Sequence, residues 1–333
     1  MPMDEKIKIS ISKTVLETLK KDCSDFKILK ENGQSNINLF INTLIVNYYE
    51  SFSANEETLH NEIKKTLQLV PDRYKENVFN DIIKVFEKRN DVNETKKETV
   101  TFSFKPTKIS EKAISFIENV ILKTESISSF YRRMFSSYAL KTKNEREKII
   151  HKENYATITK AIKTGVKVCI ETNKNTVLPH VSIFSISPAK DELFNYVLGF
   201  DGKNNVTIRL ASIKHVSILS SASEIPEKYK NLLIRQSECA PQYPMYTTDD
   251  EPIKVQLTDK GKIMFDKIYL YRPTPVSIEG DIYTFNCSAN QLLYYFERFG
   301  DAALILSPKK LGIFMRNYYH YALKKYKTLY KND

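Results

Sequence analysis

FNYVLGFDGKNNVTIRLASIKHV, residues 194–216, consists of two apolar runs around a polar turn, Asp201–Asn205. A polar turn of this composition between apolar runs predicts a β-hairpin. In the second run apolar side chains alternate with polar ones, so Arg209 lies on the polar face of its strand. The hairpin therefore presents a cation on that face, which makes Arg209 the first candidate for a binding role.

The hairpin belongs to a group of five short strands joined by tight polar turns. The strands are VKVCI (166–170), LPHVSIFSI (178–186), FNYVLGF (194–200), NVTIRL (205–210) and IKHVSIL (213–219). Five strands within about sixty residues predict a small Sm-like or SH3-like β-barrel, which we place at 151–220.

The N-terminal region contains an internal repeat of one strand and two helices. In residues 6–52 the strand Lys6–Ser12 alternates polar and apolar residues, and two helical patterns follow. The same order returns in residues 99–141, after a helical linker, beginning with the strand Thr99–Lys105. A β-α-α unit present twice predicts a ribbon-helix-helix region over 1–145. Its strands pair antiparallel, either within one chain or between two chains.

The C-terminal region, 251–333, alternates strands and helices again. The predicted strands are 253–258, 274–278, 282–287 and 303–306. This order resembles a ferredoxin-like α+β unit. The predicted fold class is therefore α+β multidomain: an N-terminal ribbon-helix-helix region, a central Sm/SH3-like β-barrel and a C-terminal ferredoxin-like α+β extension.

The charge of the chain is spread over all three regions. The sequence has 51 Lys and Arg against 40 Asp and Glu, a formal net charge of +11. Residues 151–219 hold 9 basic and 5 acidic residues, which is the highest net charge per residue of the three regions. This balance indicates an acidic partner only mildly.

Composition also argues against several classes of protein. The four cysteines lie far apart with no Cys-x-x-Cys, so we expect no disulfide, no zinc site and no cofactor. The opening MPMDEKIKIS lacks an apolar segment of signal-peptide length, and no run of eighteen apolar residues occurs, so we expect a cytoplasmic protein without a membrane partner. The chain has eight glycines, no phosphate-binding loop and no hydrolase motif, so we expect no enzymatic activity.

The middle region resembles the WYL domain, a family of Sm-like barrels that bind nucleic acid or nucleotide ligands in bacterial regulators. The Trp-Tyr-Leu motif of the family corresponds to Asn195-Tyr196-Val197, followed by Leu198-Gly199-Phe200-Asp201. The later strand of the family, roughly Arg-Thr-Phe-Arg-Leu-Asp-Arg-Ile, corresponds to Val206–Ile213. Arg209 keeps one cation of that strand, while two others are replaced and the chain has no tryptophan.

The C-terminal residues strengthen this resemblance. YLYRPTPVSIEGDIYTF (269–285) and QLLYYFERFGDAALILSPKKL (291–311) look like the extension that follows WYL domains. The combination of ribbon-helix-helix, WYL domain and extension is similar to the WYL accessory proteins of type VI-D CRISPR systems. That resemblance implies an antiviral-defence protein that binds single-stranded RNA and stimulates a type VI-D RNA-guided, RNA-cleaving nuclease. We expect it to act as a homodimer.

Under this resemblance the polar face of the hairpin becomes a ligand surface. Arg209 suits phosphate, because its planar guanidinium can bind phosphate through two donors and can stack on a base. Tyr196 suits base stacking in single-stranded RNA. The further candidates are Lys203, Lys214, Thr207, His215, Lys167, His180 and Ser185. The alternative is structural: a solvated surface for the cations, and a core position for Tyr196.

The ribbon offers a second candidate interface, for duplex DNA. Its base-reading residues would be Lys6, Lys8, Ser10, Thr101, Ser103 and Lys105. The helix N-termini, predicted at Ser35 and at either Ser126 or Ser128, could hold phosphates through their free N–H groups. The alternative is that these units only dimerise. If the ribbon binds DNA, the protein is a transcription regulator whose WYL pocket senses a nucleotide-like ligand. A third possibility is a protein-interaction adaptor.

The last helix, from about Pro308, interleaves lysines with tyrosines. Such a helix could contact nucleic acid or a protein partner. We favour the structural interpretation, in which its apolar stripe packs on the C-terminal domain and its lysines are solvated.

Overall fold

A computed structural model of the chain describes residues 5–91, 99–122, 125–246 and 251–330. The chain divides into two compact units, Met1–Lys152 and Glu153–Asp333. The fold is mixed α+β, and its three sheets in the described residues are small and antiparallel. No helix in these residues is both long and apolar enough to cross a membrane.

The first unit is built on a two-stranded ribbon. Strand β1 (Ile7–Ser12) pairs antiparallel with β2 (Thr99–Phe104), with Ile7 opposite Phe104. The isoleucines of β1 are buried, as the strict alternation of the sequence predicts. Of the two pairings left open by the sequence, the structure has the one within a single chain.

In the described residues six helices belong to this unit, and a seventh, α7, begins the second unit. They are α1 (Lys13–Asp25), α2 (Ile37–Thr66), α3 (Asp72–Asp91), α4 (Glu111–Phe116, extended by a π-helical turn over Ile117–Ile121), α5 (Ile127–Ala139), α6 (Lys143–Ile150) and α7 (Lys152–Thr164). Helix α2 runs beyond its predicted end at Phe52, because no proline or glycine interrupts the chain before Pro71.

The core of the first unit is rich in aromatic side chains. Phe40, Tyr48 and Phe52 of α2 pack edge-to-face or tilted against aromatic rings of their own helix and of α5, including Phe130 and Tyr138. All five side chains are at most 4% exposed. These contacts join the two β-α-α copies, which explains why neither copy has to fold alone.

In the second unit α7 is followed by a five-stranded sheet. Its strands are β3 (Val166–Thr172), β4 (Val177–Pro188), β5 (Asn195–Phe200), β6 (Asn205–Arg209) and β7 (Ile213–Ala222), in the order β6-β5-β4-β3-β7. The predicted hairpin is β5–β6, with Tyr196 opposite Arg209. The buried face packs on α7 residues Ile158 and Ala161.

The predicted barrel is not closed by strand pairing in the described residues. Closure would need hydrogen bonds between β6 and β7, the two ends of the sheet. Instead, a 3₁₀ turn at Leu210–Ser212 leads the chain from β6 directly into β7, which pairs along its length with β3. The long strand β4 bridges the sheet, pairing with β3 through its first half and with β5 through its second.

A helix and a second α+β layer complete this unit. The elements are α8 (Glu227–Cys239), β8 (Ile253–Leu257), α9 (Asp259–Lys267), β9 (Pro275–Glu279), β10 (Ile282–Phe285), α10 (Ala289–Phe296), β11 (Ala303–Ser307) and α11 (Lys309–Leu329). The sheet order is β11-β8-β10-β9. The strand-helix-strand-strand-helix-strand order is the predicted one, and Phe265, Phe285, Tyr295 and Phe296 form its core.

Candidate nucleic-acid interface

Arg209 is the last residue of β6 and lies at the open end of the β5–β6 hairpin, away from the turn. It lies directly opposite Tyr196 on β5. The carbon of its guanidinium group lies 3.1 Å from the centroid of the Phe194 ring. A guanidinium over an aromatic face is a cation–π contact, which holds the planar group in one orientation. Arg209 is half-buried and therefore a positioned cation.

The loop before β5 places Phe194 under this arginine. The N–H of Ala189 donates to the carbonyl of Phe194 (2.8 Å), and the N–H of Leu193 donates to the carbonyl of Ala189 (2.9 Å). Leu193 has a φ of +57°, in the left-handed region. A left-handed leucine costs about 1–2 kcal/mol, so the closed loop must hold it there. Sequence reasoning missed Phe194, although it directly precedes the motif.

Glu192 fixes the tyrosine of the motif. The hydroxyl of Tyr196 donates to Glu192 Oε2 at 2.6 Å, and the hydroxyl of Tyr271 donates to Glu192 Oε1 at 3.3 Å. Burial and the charge of Glu192 raise the pKa of Tyr271. The ring of Tyr196 is therefore held in place. A carboxylate near Arg209 also means that this surface is not a uniformly positive one.

Three further tyrosines extend the aromatic surface on this side. The centroids of Tyr243, Tyr271 and Tyr294 lie 5.5–6.3 Å from each other. Tyr294 is 44% exposed, while burial raises the pKa of Tyr243. These rings come from three separate segments. Only the fold brings them together, and no sequence spacing could have indicated them.

Helix α8 covers the neighbouring part of the same polar face. The side-chain amide of Gln236 donates to Thr207 Oγ1 at 2.7 Å, and Gln236 is 1% exposed. The ring of Tyr229 lies 4.6 Å from that of Phe200. The alternation alone indicated that the polar face of β6 is open along its whole length. In the structure, α8 covers part of that face. Thr207 has a structural partner in this position, and its role in binding stays a prediction.

The structure does not gather the other predicted cations around Arg209. Lys203 lies in the turn at the opposite end of β6, about 15–20 Å away at the usual rise of a strand. Lys214 forms an ion pair with Glu171 (2.6 Å). His215 is exposed on β7, while His180 is exposed on β4. Lys203 and Arg209 are therefore not neighbours, and a role of Lys203 in RNA binding stays a prediction.

The two remaining candidates of this group sit within the sheet. Lys167 is half-buried on β3. The hydroxyl of Ser185 lies 2.9 Å from that of Ser187. No contact of these residues points to a ligand, and their roles stay predictions.

The ribbon presents its polar residues as the alternation predicts. Lys8 lies opposite Ser103 and Ser10 opposite Thr101, and all four are exposed or half-exposed. The terminal candidates, Lys6 and Lys105, are also exposed. Their contact with DNA is untested and stays a prediction.

The structure gives a different start for one of the two predicted helices. Helix α2 is capped by Asn36, whose side chain accepts from the N–H of Leu39, and not by Ser35. Helix α5 is capped by Ser126, one of its two predicted caps, so Ser128 lies inside its first turn. In both helices a side-chain oxygen already accepts a hydrogen bond from one of the N–H groups that would otherwise bind a phosphate.

Within the described ranges, no group of three His, Cys, Asp or Glu side chains is placed to hold a metal ion.

Gly199 of the motif is required by close packing of two strands. A Cβ at this position would lie 2.7 Å from the carbonyl oxygen of Ser182 and 3.1 Å from Val181 Cγ1. Gly199→Ala is therefore expected to lower the free energy of unfolding by about 1–3 kcal/mol, since β4 and β5 must separate. Urea denaturation followed by circular dichroism measures this loss.

Val177→Ala is the matched control for Gly199→Ala, because Val177 lies on β4 and is 55% exposed. We expect it to change stability by about 0.5 kcal/mol or less. Equal stability of Gly199→Ala and the wild type would show that the strands accommodate a methyl group.

A solved structure has the same fold over nearly the whole chain. The crystal structure of a protein described as CRISPR Cas-related matches with a TM-score of 0.67 and 19% sequence identity, covering 98% of this chain and 95% of that one. Proteasome accessory factor B/C (PafBC) of Arthrobacter aurescens matches with a TM-score of 0.25 and 14% identity, over 68% of this chain and 40% of that one. No family model and no curated protein matches the chain. At 19% identity the first likeness shows the fold alone.

Proposed function

We propose that this protein is a non-catalytic accessory protein of a CRISPR system, which binds single-stranded RNA and stimulates a type VI-D RNA-guided nuclease. The observation that carries the CRISPR association is the likeness to a CRISPR Cas-related protein over 98% of this chain and 95% of that one. A match over nearly the whole of both chains supports a likeness that includes every domain, and not one common module alone.

The proposed RNA contact is formed by Arg209 and Tyr196, with the buried ring of Phe194 under the arginine. Arg209 is half-buried and held on the Phe194 ring, which suits one phosphate or the face of one base. The hydroxyl of Tyr196 is fixed by Glu192. An oriented arginine beside ordered aromatic rings favours single strands, whose bases are accessible for stacking.

The order of elements supports the WYL interpretation of the second unit. Five antiparallel strands that carry the Asn-Tyr-Val motif on β5 precede the strand-helix-strand-strand-helix-strand extension. In the first unit, the pairing of β1 with β2 supports a ribbon-helix-helix pair within one chain. We further propose that two chains form a homodimer, which multi-angle light scattering of the purified protein measures.

The function is tested by binding and stimulation together. A fluorescein-labelled single-stranded RNA of about 20 nucleotides and a duplex DNA of equal length are titrated with the full chain across a salt series. We expect tighter binding to the RNA. Addition of the protein to a type VI-D nuclease with its guide is expected to raise the rate of RNA cleavage. Tighter binding to duplex DNA, or no change in cleavage, would contradict the proposal.

A transcription regulator is the second candidate, and the exposed ribbon favours it. Lys8 and Ser10 face away from the core on β1, beside Ser103 and Thr101 on β2, which is the arrangement of a β-ribbon that reads the major groove. The same titration distinguishes the two candidates. Binding to neither nucleic acid would favour the protein-interaction adaptor.

A further inference from the structure

Helix α11 extends well beyond the domain on which it begins. Leu311 and Met315 are buried, and the hydroxyl of Tyr319 donates to the backbone carbonyl of Glu297 at 3.0 Å. From His320 to Tyr330 every residue is exposed. The expected packing of this helix on the C-terminal domain therefore describes its first half and not its second.

The exposed half carries positive charge without compensation on its own helix. The sequence from Ala302 to Asn332 contains no Asp or Glu. Lys324 and Lys327 are three residues apart and therefore repel each other along the exposed turns, since like charges at this spacing face each other on a helix. A polyanion bound here would remove that repulsion.

An aromatic stripe runs between these lysines. Tyr326 and Tyr330 are 63% and 59% exposed, and their rings are parallel within 5° at a centroid distance of 6.4 Å. Because each residue turns a helix by about 100°, Lys325 and Lys327 lie on either side of Tyr326. Tyrosine faces with a cation on each flank match a single strand, in which bases stack and phosphates run alongside.

We propose that the exposed half of α11, residues 320–330, is a second contact surface for single-stranded RNA. The proposal rests on the function proposed above and adds a site remote in sequence from Arg209. Single strands are favoured over duplexes because stacking on Tyr326 and Tyr330 needs unpaired bases.

Other occupants fit this helix less well. A second copy of α11 would bring two sets of lysines together with no carboxylate on either helix. A membrane-surface helix carries mainly Trp, Phe and Leu on its apolar face, whereas the stripe here is mainly tyrosine. Charge and aromatic character together favour nucleic acid.

The charge contribution is tested with Lys325→Gln/Lys327→Gln in the full chain. The probe is a fluorescein-labelled oligouridylate of about 20 nucleotides, titrated by fluorescence anisotropy across a KCl series. We expect the affinity to fall about three- to tenfold. The magnitude of the slope of log K against log [KCl] should decrease by about 1.4, because each of the two lost phosphate contacts contributes about 0.7. Lys64→Gln/Lys65→Gln on α2 removes two equally exposed charges and is expected to change neither value.

The aromatic contribution is tested with Tyr326→Ala/Tyr330→Ala. The affinity should fall about tenfold or more, because each base stack is lost, while the salt slope should not change. Tyr326→Phe/Tyr330→Phe keeps both rings and is expected to bind as the wild type does. Thermal unfolding checks that all variants are folded.

The outcomes separate this proposal from the function on which it rests. If both α11 variants bind oligouridylate like the wild type while Arg209→Ala does not, the α11 proposal is wrong and the proposed function stands. If the wild type does not bind oligouridylate, both are wrong. A change in oligomeric mass, or in binding to phosphatidylglycerol vesicles, without a change in RNA affinity would assign α11 to a dimer or a lipid surface and overturn the proposal.

Discussion

Replacing Asp22 with alanine is expected to lower the free energy of unfolding by about 3–5 kcal/mol, the largest effect we expect from one substitution. Asp22 is 0% exposed. Its Oδ2 accepts from Arg146 Nε at 2.6 Å and from the hydroxyl of Tyr138 at 2.9 Å, while its Oδ1 accepts from the other arm of Arg146 at 3.1 Å. Without Asp22, a largely buried guanidinium would remain without its carboxylate.

The Asp22 network joins three helices of the first unit. Burial lowers the pKa of Arg146, but its hydrogen bonds to Asp22 raise it above the usual value. Burial, followed by the charge of Asp22, raises the pKa of Tyr138. The hydrogen bonds of Asp22 to Tyr138 and Arg146 tie α1 to α5 and α6.

Urea denaturation monitored by circular dichroism measures the loss. The control is Asp72→Ala, which removes an exposed ion pair with Lys75. The side chain of Asp72 is 94% exposed, so this change should alter stability by less than about 0.5 kcal/mol. Asp22→Leu/Arg146→Met removes both charges and should regain most of the loss. A loss below about 1 kcal/mol for Asp22→Ala would mean that water or a nearby group replaces the carboxylate.

Arg209→Ala is expected to weaken binding of single-stranded RNA about tenfold to a hundredfold while the protein stays folded. A hydrogen bond to a charged group contributes about 1.5–3 kcal/mol, and about 1.4 kcal/mol corresponds to a factor of ten. Arg209→Lys keeps the charge but loses the planar group on Phe194, so its affinity should be intermediate. Fluorescence anisotropy with labelled RNA measures all three proteins.

Lys174→Ala is the matched control for Arg209→Ala, because Lys174 is exposed in the turn between β3 and β4. It removes one positive charge from the same sheet and should change RNA affinity by less than about twofold. If Arg209→Ala and Lys174→Ala bind RNA with the same affinity as the wild type, Arg209 does not belong to the RNA-binding site.

Local patterns predicted most of the strands and helices. The alternation of apolar and polar residues located β1 and β2 and the core face of each. A strand that buries one face must carry an apolar side chain at every second residue. The turn Asp201–Asn205 located the β5–β6 hairpin. The main error concerns extent, because α2 is longer than predicted.

The candidate site was predictable only in part. Arg209 and Tyr196 were identified by alternation and by the WYL resemblance, and the hairpin register places them opposite each other. Phe194 and Glu192 were missed because a cation–π contact and a tyrosine hydrogen bond leave no periodic signal. Lys203 was grouped with Arg209 because the two are close in sequence, whereas a strand separates them by its length.

By itself, the sequence of this protein determined the order of its elements, the inward and outward faces of its strands and the position of one arginine on a polar face. These properties depend on neighbours within a few residues. The tertiary structure alone decided that β1 pairs with β2 of the same chain, that α8 covers Thr207, and that α11 leaves a basic, tyrosine-bearing half exposed. Such features depend on contacts between segments far apart in sequence, whose formation is governed by packing and burial and not by local periodicity.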